Sequence, residues 1–269
     1  MASWPPLALA LGAALAMTTL VWVASLVKRD ASIIDVFWGP GFAVLGFVYF
    51  VVAEAHSPRA HLAVGLVTLW GLRLSVYILW RNWGQGEDYR YREMRERNPA
   101  TFPVRSLLNV FWLQAVLLWA ISTPLYQAQR RPDPVSLTPL DVLGLALFLV
   151  GLAFEAGGDW QLARFKRDPG NKGKVMNRGL WRYTRHPNYF GDALLWWGLF
   201  CFAAATPGGW WTVYSPVLMT LLLMRVSGVT LLERRLQQTK PAYREYAERT
   251  NAFFPWFPAG GGSDPRSKG

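Results

Sequence analysis

Long apolar blocks constrain what this chain can fold into more than any other feature. A helix that crosses a bilayer needs about 20 mostly apolar residues, because each backbone polar group must be satisfied inside the segment once water is excluded. Seven such blocks stand near 6–27, 33–53, 61–80, 107–128, 139–157, 189–205 and 210–232. The expected fold is therefore all-α, a polytopic membrane helix bundle with seven transmembrane helices. Charged residues are only 17% of the 269, below the roughly 25% of soluble domains. That excludes a disordered chain and argues against an ordinary soluble domain. Cys201 is the single cysteine, so no internal disulfide forms. One domain is expected over 1–258, followed by a flexible Gly-rich tail at 259–269.

Charge sets the expected orientation. The flank before the first block, Met1-Ala-Ser-Trp4, has no basic residue, and Lys28-Arg29 follow the block. A cleavable signal has its basic region in front, so the first block reads as a true span with the N-terminus outside. That topology puts Lys28, Arg29, six Arg in 81–106, eight basic residues in 158–188 and seven in 233–269 on the cytoplasmic side. The external loops keep only Arg59, Arg130 and Arg131. Lys and Arg concentrate on the cytoplasmic side of membrane proteins, so the C-terminus is expected inside. The net charge of +11 is then an orientation signal. No recognisable nucleic-acid module presents it, and no nucleic acid or obligate protein partner is inferred. No metal-ligand cluster stands out either.

Charged side chains inside spans are costly and are functional candidates by default. Asp35 stands near the start of the second block, in Ser32-Ile-Ile-Asp-Val-Phe-Trp-Gly39. Its structural alternative is a carboxylate that complements the positive end of a helix. Arg73 lies mid-block and is a possible ion-pair partner of Asp35. Tyr77 and Arg81 follow at intervals of four, so all three share one helix face and read as the wall of a polar cavity. The next loop, Arg81 to Arg95, interleaves charge with Tyr89 and Tyr91. It suits a solvated amphipathic helix or a lip over a bound ligand, with Arg81, Asp88, Arg90 and Tyr91 as candidate cofactor contacts.

The segment 155–192 carries the strongest pattern. Asp159 and Lys166 are seven apart and can share a helix face. Arg167 is adjacent to Lys166. After a turn at Asp168-Pro-Gly-Asn comes the run Asn177-Arg-Gly-Leu-Trp-Arg-Tyr-Thr-Arg-His-Pro-Asn-Tyr-Phe-Gly-Asp192. Pro187 fits the first turn of a helix, which places Asn188, Tyr189 and Asp192 in its first two turns. Basic side chains beside a helix N-terminus make an anion site, and a phosphorylated cofactor suits it. Past the last block, Lys240 to Phe257 is expected to lie along the inner membrane surface and fold back on the loop before the sixth span.

This run, with Trp196 and Trp197 after it, resembles the membrane steroid 5-alpha-reductase superfamily. The whole chain is most similar to the bacterial branch likened to 3-oxo-5-alpha-steroid 4-dehydrogenases. The residues that carry this are Asp35-Val-Phe-Trp-Gly39, Gly71-Leu-Arg-Leu, Glu87-Asp-Tyr-Arg-Tyr91 and Tyr243-Arg-Glu-Tyr-Ala-Glu-Arg-Thr-Asn-Ala-Phe-Phe-Pro255. The resemblance covers about residues 30–258. It implies a membrane enzyme that uses NADPH to reduce the 4,5 double bond of a 3-keto-4-ene steroid or a similar lipophilic enone. It also implies cofactor contacts at Asp159, Asn188 and Asp192, phosphate contacts at Lys166 or Arg167 and at Arg185, and further contacts at Arg182, Tyr183, His186, Tyr189 and Glu233. The Gln-Glu pair of the animal enzymes reads Ile34-Asp35 here, and their substrate-side Tyr falls at or near Trp70.

Reduction of an enone requires a donor at the ketone oxygen, where charge develops. Asp35 could donate as a buried acid or orient the Tyr77 phenol, and Arg73 beside it would oppose the first arrangement. Trp38 and Trp70 are candidate substrate walls. An Arg-His-Pro-x-Tyr motif also occurs in isoprenylcysteine carboxyl methyltransferases, so an S-adenosylmethionine-dependent membrane methyltransferase is the alternative. A lipid-binding protein without turnover and a transporter rank lower. The membrane is the bacterial inner membrane or the endoplasmic reticulum, with the cofactor site on the cytoplasmic face.

Overall fold

A computed structural model describes residues 5–53, 56–130, 134–226, 233, 236 and 242–259. The described residues are helical and contain no strand. Four helices are long and apolar enough to cross a membrane: α1 (Pro6–Lys28), α4 (Pro58–Asn82), α6 (Phe102–Gln129) and α7 (Pro139–Arg167). These carry the membrane character of the chain. The other three expected spans look different. The second begins with a single turn, α2 (Ile33–Val36), and continues as α3 (Trp38–Val52), which is 15 residues long. The sixth is α8 (Pro187–Ala204), 18 residues with polar groups in its first turns. The last is a 3-10 turn, then α9 (Tyr214–Leu221) and a π-helical stretch, Leu222–Val226. Residues 227–232 of that block lie outside the described residues, as does the expected tail beyond Ala259. Two short helices lie outside the apolar blocks, α5 (Tyr89–Arg97) and α10 (Ala242–Arg249).

Local chemistry sets the ends. Pro6 and Pro58 open α1 and α4, where a missing N–H costs nothing. Ser57 caps α4 by accepting from Ala60 N at 3.2 Å. Arg29 adopts φ 52° and closes α1. Asp30 then accepts from Ser32 N at 2.9 Å and from its hydroxyl, which fixes the tight turn before α2.

The chain forms two compact units. The first comprises the described parts of Met1–Val142 and Leu199–Ser215. Here α3 packs on α4 with Gly39 against Gly71, and a Cβ on either would strike the other's backbone. Small residues allow this close approach between membrane helices. Phe42, Leu45, Tyr49, Val67 and Trp70 fill the core beside it. At one end the buried Arg59 grips Asp141 through two bonds of 2.6 and 2.8 Å. The backbone N–H and hydroxyl of Thr138 donate to the same carboxylate.

The second unit comprises the described parts of Leu143–Gly198 and Pro216–Gly269. Its two main helices meet backbone to backbone: a Cβ on Gly151 would lie 2.6 Å from Gly191 O. The C-terminal segment folds back on the 183–185 loop. Arg185 N donates to Asn251 O and Trp256 N to Tyr183 O, each at 2.9 Å. Phe253 is buried in a cluster with Ala193, Phe190 and Met224. The fold-back expected from sequence is present.

Candidate functional site

Two carboxylate-centred clusters stand out, one in each unit. In the first, Asp35 projects from α2 toward the segment that opens α5. Three sets of contacts bind that segment to the α2 turn. Glu87 accepts from Ala31 N at 2.8 Å, Asp88 N donates to Ser32 Oγ at 3.3 Å, and Asp35 takes the third. Arg90 Nη2 donates to Asp35 Oδ2 at 3.1 Å, and Tyr91 Oη donates to Asp35 Oδ1 at 2.8 Å. Asp88 caps α5 and holds Arg90 Nε at 2.9 Å. The Arg90 guanidinium also lies 5.3 Å from the Tyr91 ring centroid. Arg95 donates twice to Glu87, at 2.7 and 3.1 Å, which holds the Glu87 carboxyl below the usual range although burial opposes it.

The partners of Asp35 differ from those expected. Its ion-pair partner is Arg90, not Arg73, and the phenol it orients is Tyr91, not Tyr77. The reason is tertiary: α5 returns over α2 and brings in residues 55 and 56 positions away. Tyr91 is buried in a cluster with Ile34, Phe102 and Phe111. Burial first, and then the Asp35 charge, raise its pKa above the ordinary phenol value. The phenol therefore stays protonated, with its hydrogen directed at Asp35. Arg73, Tyr77 and Arg81 do share a face: the two guanidinium groups sit 5.5 and 5.6 Å from the Tyr77 centroid. Trp38 meets Phe42 edge-on at 5.2 Å, and Phe42 meets Trp70 at 5.8 Å. Trp70 is fully buried and packs in the core.

In the second unit the centre is Glu233, beyond the last apolar block. Arg185 grips it with Nε at 2.7 Å and Nη2 at 3.0 Å. Arg185 Nη1 donates to Ala247 O at 2.7 Å and to Thr250 O. His186 Nε2 lies 3.1 Å from Glu233 Oε1, and the Tyr243 hydroxyl donates to the same oxygen at 3.5 Å. Burial alone would raise the Glu233 pKa, but the hydrogen bonds from His186 and Arg185 hold it down at about 2. The His186 ring stacks on Tyr189 with centroids 5.4 Å apart. Asn188 donates to Asp159 at 3.1 Å, and Asp159 and Asp192 are buried. Arg185 therefore ties the loop to the C-terminal segment. That geometry replaces the phosphate contact expected for it, because its donors face protein acceptors.

A cleft of about 440 Å³ opens in the same unit, with Lys174, Arg178, Arg182 and Arg249 in its lining beside Tyr246. Four cationic side chains around such a volume suit a phosphate-bearing group. Of the expected cofactor contacts, Arg182 lines this cleft, while Lys166 and Arg167 line a neighbouring one. Tyr183 stands edge-on to Phe257 at 5.9 Å. Sequence reasoning passed over Lys174, Arg178 and Arg249. Arg178 stands inside the recognised run, but Arg249 reaches the cleft only through the fold-back of α10. Among the described residues no group of His, Cys, Asp and Glu could hold a metal ion.

Comparison with known proteins bears on the whole chain. A family model described as a protein of unknown function, DUF1295, matches residues 21–250. An uncharacterized protein of Schizosaccharomyces pombe, C594.04c, is 26% identical over 263 residues, covering 88% of this chain and 76% of the relative. No solved structure matches. With the match spanning most of its length, the chain belongs to the DUF1295 family.

Proposed function

We propose that the chain is an NADPH-dependent reductase of 3-keto-4-ene steroids or similar lipophilic enones. In this reading it is a seven-span bundle with its N-terminus outside and its C-terminus on the cytoplasmic face. The observation that carries the reading is the Asp35–Arg90–Tyr91 cluster: a buried, protonated phenol held by a carboxylate that is itself held by a guanidinium. Membership of a steroid 5-alpha-reductase-like family supports it, as do apolar helices that give a lipophilic substrate access from the bilayer.

NADPH supplies a hydride for the beta carbon of the enone. Lys174, Arg178 and Arg182 would hold its phosphates. The chain's own work is at the ketone oxygen. Negative charge develops there, and the Tyr91 O–H is the donor that meets it. Its raised pKa keeps the phenol neutral, so it stabilises the developing oxyanion as a hydrogen-bond donor, and the alpha carbon takes its proton from solvent. In the resting fold the hydroxyl hydrogen is directed at Asp35, which Arg90 holds, so the hydroxyl turns from Asp35 to the ketone oxygen when substrate binds. The product is the saturated ketone, two hydrogens heavier than the substrate.

The test is a product assay on detergent-purified protein with progesterone and NADPH, read by mass spectrometry. A product two hydrogens heavier, formed with stoichiometric NADPH oxidation, is the expected result. No product and no NADPH binding, with S-adenosylmethionine bound instead, would replace this reading with the methyltransferase.

A further inference from the structure

Beside the cleft assigned to the cofactor, and sharing Lys174 with it, the second unit carries a second recess whose other cations the reductase reading does not need. It has about 320 Å³ and lies where α7 ends and the 3-10 turn Pro169–Asn171 begins. Lys166, Arg167, Lys172 and Lys174 line it. Asp168 also lines it: Oδ1 accepts from Gly170 N at 2.9 Å, and Oδ2 accepts from Asn171 Nδ2 at 3.2 Å. Leu162, Phe165 and Met176 complete the lining. Cationic and apolar side chains thus share one small volume. An amphiphile matches both halves of such a lining, whereas a free phosphate matches only the cationic half.

The position of this recess along α7 agrees with that chemistry. The helix has 29 residues, about 43 Å at 1.5 Å per residue, against a hydrocarbon core of about 30 Å. Its C-terminal part therefore emerges from the core. Trp160 marks the level: it is 60% exposed, and the Arg164 guanidinium lies 5.5 Å from its ring centroid. Exposed Trp in a membrane protein settles among the lipid headgroups. Lys166 follows six residues later, about 9 Å further along the axis, a distance a long basic side chain reaches back across. In the same unit Phe254, Trp256 and Phe257 are exposed after the buried Phe253, as expected of an interfacial segment.

We propose that the recess lined by Lys166, Arg167 and Lys172 binds the phosphate of an anionic phospholipid, with the apolar lining taking the first part of its glycerol and acyl region. The site is independent of the reductase reading and needs only that the chain spans a membrane. It also gives Lys166 and Arg167 a ligand other than the cofactor.

The test uses the full chain purified in detergent, with phosphatidylglycerol, phosphatidylcholine, inorganic phosphate and NADPH added separately. Thermal unfolding and native mass spectrometry read the binding. Phosphatidylglycerol should stay bound and raise the unfolding temperature, while phosphatidylcholine and inorganic phosphate should not. At about fivefold per lysine, Lys166→Ala with Lys172→Ala should weaken phosphatidylglycerol binding about 25-fold and leave any NADPH response unchanged. Lys172→Glu, on an exposed turn, is the second variant if the double substitution expresses poorly, and it should weaken binding in the same direction. Equal binding of the two lipids would overturn the proposal. So would displacement of phosphatidylglycerol by inorganic phosphate or NADPH, which would mark a nucleotide phosphate site. Failure of the wild-type chain to bind NADPH would count against the reductase and leave the lipid comparison decisive for this site.

Discussion

The two carboxylate clusters have nearly the same parts and opposite settings. Each holds an acid, an arginine and a tyrosine: Asp35, Arg90 and Tyr91 in one, Glu233, Arg185 and Tyr243 in the other. In the first, the acid is 26% exposed and its arginine 40%. In the second the values are 16% and 11%, and His186 closes in at 2%. Arg90 spends its donors on two side-chain carboxylates, whereas Arg185 also reaches backbone carbonyls of the C-terminal segment. An arginine bonded to backbone fixes a fold. A partly open acid with a protonated phenol can meet a ligand. The first cluster is the reactive one in this account and the second is a clamp.

The largest expected effect breaks the clamp. Arg185→Ala leaves the Glu233 carboxylate without its bidentate partner and should cost about 3–5 kcal/mol of stability, read as a steep fall in unfolding temperature and loss of NADPH binding together. Tyr91→Phe removes one hydroxyl from the other cluster. It should lower kcat about 100-fold with the unfolding temperature nearly unchanged. A matching loss of stability would make Tyr91 structural and erase the contrast.

The contrast also has a pH signature. Glu233 titrates at about 2 in the fold, against 4.5 ordinarily. A depressed carboxyl contributes stability that is complete above its unfolded value and lost as pH falls through the folded one. Circular dichroism should therefore show the C-terminal clamp loosening between about pH 4.5 and 2, and Glu233→Gln should flatten that transition. In the other direction, the raised Tyr91 pKa keeps the donor protonated. The alkaline limb of the rate profile should lie above the ordinary phenol value of about 10. A limb near 8 that survives in Tyr91→Phe would assign the proton to another group. The smallest effect is expected at Tyr77→Phe. Its ring still faces the Arg73 and Arg81 guanidinium groups, so turnover should change less than about threefold, near the ~0.5 kcal/mol of an exposed cation–π contact.

What could be read from sequence follows the range of the forces involved. Helices α1, α4 and α7 declare themselves through length and a predominantly apolar composition. The Arg73–Tyr77–Arg81 stripe was visible because spacing by four is a property of one helix. The break between α2 and α3 was not, because a single backbone bond makes it, Phe37 N to Ile34 O at 2.9 Å, inside a block that otherwise reads as apolar. Asp35 could be singled out as an acid at the start of an apolar block, but its partners sit on a separate helix more than 50 residues on. No periodicity reports such a pairing. The Arg185-His186-Pro187 run was conspicuous for the same reason that its role was obscure. Arg185 finds its acceptors at Glu233, Ala247 and Thr250, and only the folded-back C-terminal segment supplies them.

Turnover of progesterone with NADPH by Tyr91→Phe and Tyr243→Phe, measured beside their unfolding temperatures, tests the central claim most directly. The account predicts that Tyr91→Phe folds like the wild type and makes the reduced ketone about 100-fold more slowly, while Tyr243→Phe is less stable and still makes it. Full turnover by Tyr91→Phe, with activity lost only when Tyr243 is changed, would contradict it and move the chemistry to the Glu233 cluster.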